Sequence, residues 1–68
     1  MKIATNPNIS QIGWVSIDTL DVSVYGDKVE IVGLQTDNGE DTPIGHAIVI
    51  DLETLDQMFV YINRERNG

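Results

Sequence analysis

The chain has 68 residues, a formal net charge of −7 and no cysteine. That length suits one domain, residues 1–68, with a thin stability margin. The lack of cysteine excludes disulfides and thiolate metal sites, and a single histidine argues against a zinc site built from this chain's side chains alone. The charge opposes binding to nucleic acid or to anionic membrane.

Ile and Val together number sixteen, against four Leu and two Ala. Side chains branched at Cβ are stiff and suit a pleated surface, so strands are expected over most of the chain. Met1 to Ala4 fits a short leading edge strand. Asn6-Pro7-Asn8 reads as a turn, and Ile9 to Gly13 as a loop or a single helical turn. From Trp14 the pattern sharpens. Val15 and Ile17 share one parity; Leu20, Val22 and Val24 share the other, so a bulge or tight turn falls near Asp18-Thr19. Gly26-Asp27 is a two-residue turn. On the return strand Val29 and Ile31 point one way, Val32 and Leu34 the other. Gly33 at that switch predicts a bulge or a close backbone approach.

Asp37 to Pro43 is the most hydrophilic stretch, with Asn38-Gly39 as its turn and Pro43 limiting pairing just after it. His46 to Ile50 is a strand, with Ile48 and Ile50 on one face and Ala47 and Val49 on the other. Leu52, Leu55, Phe59 and Ile62 recur at helical spacing, with Met58 at the stripe's edge. Asp51 is the expected N-cap; a Thr54/Gln57 capping box is a competing start. Glu53 and Asp56 suit the positive end of the helix dipole, and Arg64 and Arg66 the negative end. The expected fold is α+β: a small antiparallel sheet of three or four strands with one C-terminal helix packed on one face.

No run is long enough to span a bilayer, and MKIATNPN lacks the apolar stretch of a secretory signal, so the cytoplasm is the default location. Asp37, Glu40 and Asp41 with Asn38 are oxygen ligands of a type that suits calcium, but their spacing is not that of an EF-hand loop, and a solvated acidic turn is the simpler reading. His46 has no nucleophile or acid at a recognisable spacing, so no catalytic residue, metal or cofactor is assigned. Trp14 and Tyr25 lack the basic stripe of a base-stacking surface, which favours core or sheet-face packing for them.

The acids have no basic residue among them from Val29 to Asn63. Glu30, Asp37, Glu40, Asp41, Glu53 and Asp56 are therefore the expected contacts for a protein partner with a basic surface, with Tyr25 and Tyr61 as anchors. In size, acidity and absence of a catalytic motif the chain resembles small phage-encoded inhibitors of host defence, anti-CRISPR proteins among them. This likeness is one of profile, and it implies an inhibitor or adaptor that docks on a nucleic-acid-binding protein without touching nucleic acid itself. The alternative is a self-associating structural or accessory domain, a homodimer through its edge strands or the Tyr61 side of the helix.

Overall fold

A computed structural model describes all residues, Met1–Gly68. The fold is α+β, with strands β1 (Lys2–Ala4), β2 (Gln11–Ile12), β3 (Val15–Ser16), β4 (Thr19–Tyr25), β5 (Lys28–Asp37) and β6 (Glu40–Asp51), followed by helix α1 (Leu52–Asn67). Four of the strands form one antiparallel sheet in the order β1-β4-β5-β6, and β2 pairs with β3 in a separate small hairpin. The leading strand exists, and it pairs Ile3 with Leu20.

Alternation along these strands sorts the side chains. Val24, Val29 and Ile50 lie opposite one another, as do Val22, Ile31 and Ile48. Directly opposed residues share a face, so all six fall on one side of the sheet. The register slips between Ile31 and Gly33, where Gly33 meets Ile44. The small hairpin docks at this slip. A Cβ built on Gly33 would lie 2.5 Å from Ile12 Cδ1 and 3.2 Å from Ile17 Cγ2, so any larger residue there forces these two side chains to shift. Ile17, Val29 and Leu34 are the buried hydrophobic residues, between 1% and 6% exposed.

The sheet is strongly curled. Lys2 and Asp41 belong to opposite edge strands, yet the Lys2 ammonium donates to the Asp41 carboxylate. In a flat sheet those edges would be about 14 Å apart, beyond the reach of a lysine. By register both lie on the face that carries Leu34, and their ion pair spans the hollow of the curl.

Pro43 itself sits opposite Leu34 within β6, and pairing lapses just after it, where residues 45–47 have no partner on β5. β6 is an edge strand, where a residue with no N–H to donate is tolerated. Trp14 does not pack in the core or on the sheet: it occupies the Gly13-Trp14 turn of the small hairpin and is 98% exposed.

Asp51 caps α1 by accepting a hydrogen bond from the Thr54 N–H at 2.9 Å. It is also the last residue of β6, so no loop separates strand from helix. A helix returning over its own sheet ordinarily needs a connection of about two to six residues. α1 accordingly meets the sheet through its first turns, where Leu52 and Leu55 are part-covered, and none of its residues is buried. The Cα radius of gyration is 13.3 Å, whereas a compact domain of this length has about 11 Å.

Gly33→Ala is expected to cost about 1–3 kcal/mol by overpacking. Adding Ile12→Val removes the Cδ1 atom that makes the closest contact, so the double variant should lose less than the sum of the single variants in urea unfolding. Simple additivity would show that Ile12 does not press on Gly33.

Candidate functional site

Three carboxylates are committed to the fold. Asp18 stands just before β4 and accepts from the Thr36 N–H at 2.9 Å and from the Thr19 hydroxyl at 2.9 Å, which extends the β4–β5 ladder by one side chain. The Thr36 backbone bond, then the Thr19 hydroxyl, hold its pKa below the ordinary 3.8. Asp41 accepts from Lys2 and from the Thr36 hydroxyl, and these two partners depress its pKa in that order. Asp51 is depressed by the Thr54 hydroxyl and N–H that it caps. Lys2 is raised above 10.5 by the same bond to Asp41.

The six acids singled out by sequence do not form one surface. Asp37 and Glu40 flank the Asn38-Gly39 turn at one end of the β5–β6 hairpin. Glu53 and Asp56 lie on α1, which leaves the sheet where Asp51 faces Lys28 at the other end. Nine residue steps along β5 separate these ends, about 30 Å. Glu30 lies mid-sheet between Ser23 and Val49, and Asp41 is neutralised by Lys2. Closeness in sequence had suggested a single anionic surface; the long hairpin pulls it apart. Arg64 and Arg66 make no ion pair with any of these acids.

His46 is exposed on the irregular part of β6, and no three His, Cys, Asp or Glu side chains converge to hold a metal ion. No helix is long and apolar enough to cross a membrane.

One region stands out, and it is on α1. Met58, Phe59, Val60, Tyr61 and Ile62 are consecutive, and each is between 41% and 61% exposed. A helix apolar all round is normally buried, so this half of α1 lacks its cover. On one side the helix carries an open furrow of 360 Å³ lined by Glu53, Asp56, Gln57, Val60, Tyr61 and Arg64. These positions follow the spacing of a single helix face. Of the two expected anchors, Tyr61 lies in this furrow; Tyr25 is exposed beside the Gly26-Asp27 turn, opposite Lys28. Sequence reasoning placed Met58 at the edge of the main stripe and Tyr61 on another side of the helix but missed Trp14, whose exposure follows from a turn too short to recognise by periodicity.

No protein family, curated protein or solved structure matches this chain.

The three depressed carboxylates fix an acid limb of stability. The unfolded chain takes up protons at these groups before the folded one does. Their stabilisation is therefore complete above 3.8 and is lost as pH falls through their lower folded values. The Lys2 share is complete below 10.5 and is lost as pH rises beyond its raised folded value. Asp18→Asn and Asp41→Asn should each lower the thermal midpoint near neutral pH and flatten the loss on acidification, followed by circular dichroism. An acid limb unchanged in both variants would remove these two groups as its source.

Proposed function

We propose that this chain is a non-catalytic protein-binding module, an inhibitor or adaptor, that presents the furrowed side of α1 to a partner with a basic surface. The exposed Val60 and Tyr61, set among Glu53 and Asp56 on one side of a helix with no buried residue, carry this reading. Glu53 and Asp56 supply two carboxylates free of any ion pair, and Val60 and Tyr61 supply apolar area next to them. An aromatic anchor rimmed by charge is the ordinary make-up of an energetic centre in an interface. The carboxylates speed encounter with a cationic surface and disfavour a phosphate backbone. Blocking the basic groove of a nucleic-acid-binding effector, as a phage-encoded inhibitor of host defence does, is one use of such a face. A cysteine-free chain suits the cytoplasm, where thiols stay reduced.

The test is an NMR titration of the isotopically labelled protein with a lysine- and arginine-rich amphipathic peptide. Shifts should concentrate on residues 53–64 and spare the Asp37–Glu40 turn. Glu53→Gln with Asp56→Gln should weaken binding about three- to tenfold, the scale of two exposed charge pairs. Equal shifts at the turn, or none on α1, would remove this reading.

A further inference from the structure

The other side of α1 is also without its cover. Leu52, Leu55, Phe59 and Ile62 form a stripe about 150° around the helix from the centre of the furrow. Beyond the first turns this stripe is open: Phe59 and Ile62 are both exposed. The sheet has a matching deficiency. Leu20, Val22, Val24, Val29, Ile31, Ile48 and Ile50 share one face by register, and none of them carries a charge; Val29 is buried, Leu20, Val22, Ile31 and Ile50 are half-buried, and Val24 and Ile48 are open. Ile12 and Ile17 cover that face beside Gly33, Ile12 also reaches Gly45, and Val29 is covered as well. Away from that cover Val24 is 65% and Ile48 58% exposed.

The size of the missing cover can be estimated. The chain exposes 5423 Å². A folded monomer of 7.5 kDa exposes about 4,250 Å². The surplus, about 1,200 Å², exceeds the roughly 800 Å² that each partner contributes to a standard interface.

We infer that a second copy of this chain covers this surface, with the α1 stripe of each copy lying on the Val24–Ile48 part of the sheet face of the other about a two-fold axis. Three observations select this occupant. Each chain offers one open stripe and one open face, so reciprocal packing satisfies both in equal number, as an isologous dimer requires. The direct β6-to-α1 junction gives the helix no loop with which to turn back on its own sheet, while a neighbouring copy needs none. Two copies of net charge −7 repel one another, and the stripe with the Val24–Ile48 part of the face is where they can meet without opposing like charges; Asp37 and Glu40 stand at the far end of that face, beyond Gly33. This inference goes beyond the basic-partner reading and uses the opposite side of the helix, so either can fail without the other.

Sedimentation of the purified chain over a range reaching about 1 mM should show a monomer–dimer equilibrium; a monomer throughout, meaning a Kd weaker than about 1 mM, would overturn the inference. Phe59→Glu and Ile48→Glu alter exposed positions, so each should leave the circular dichroism spectrum native while lowering self-affinity at least tenfold. The chain has no native cysteine, which permits a direct test of the geometry. Under mild oxidation a mixture of Phe59→Cys and Ile48→Cys chains should yield a mixed disulfide dimer. Cross-linking of Phe59→Cys only with itself would replace this arrangement with a helix–helix contact. An intrachain disulfide in the Ile48→Cys/Phe59→Cys double variant, with no dimer, would mean that α1 covers its own sheet. Added salt should tighten the dimer by screening like charges, whereas it should weaken capture of a basic peptide.

Discussion

The packing of Ile12 and Ile17 onto Gly33 is the contact on which the rest of the architecture depends. It fits most closely where β5 has no side chain, and it coincides with the slip in register between β5 and β6. The slip lets β6 take extra residues between Ile44 and Ile48 without exchanging the faces of Ile48 and Ile50. The small hairpin thus covers that face beside Gly33, and the curl of the sheet encloses Leu34 on the other face. Few residues are left to cover anything else. A chain of this length buries a modest share of its surface, and this one buries less than its length allows.

Charge is divided between structure and surface in a way that follows from this shortage of core. Asp18, Asp41 and Asp51 each take the place of a missing neighbour: a ladder acceptor, a cross-edge tie and a helix cap. Each is held ionised by specific donors, so it acts as a fixed anchor and is not free for a partner. Glu30, Asp37, Glu40, Glu53 and Asp56 form no ion pair. Being spread over distant parts of the fold, they set the field of the whole protein; the pair on α1 adjoins Val60 and Tyr61, and Glu30 adjoins Val49 and Tyr25. Acid content alone therefore says little about where a basic partner would sit.

Much of the fold was legible because alternation is a local property. The parities of Leu20, Val22 and Val24, of Val29 and Ile31, and of Ile48 and Ile50 assign each residue to the face it occupies. Gly33 marked the irregularity, and Asp51 the helix start. The small hairpin was not legible, because strands of two residues have no period to detect, and Trp14 was misplaced with it. The place of Pro43 inside β6 depends on that strand being an edge, which only the topology reveals. The dispersal of the acids follows from the length of the β5–β6 hairpin. The open stripe of α1 follows from a junction with no loop; the apolar spacing of a helix names the side that seeks cover and not the chain that supplies it.

The two sides of α1 differ in chemistry, and this bears on how one short helix could serve two contacts. Phe59 and Ile62 lie in a stripe whose middle is free of charge, while Val60 and Tyr61 lie among Glu53, Asp56 and Arg64. Occupation of the stripe by a second copy leaves the furrow facing outward. A two-fold pairing then carries two furrows on one rigid body. Where a partner offers two basic sites at matching separation, the second contact becomes intramolecular, and its strength rises with effective concentration instead of with added area. Furrows of modest individual affinity would then suffice. If both proposals hold, self-association and partner docking are successive uses of one exposed helix, the first fixing the geometry in which the second operates.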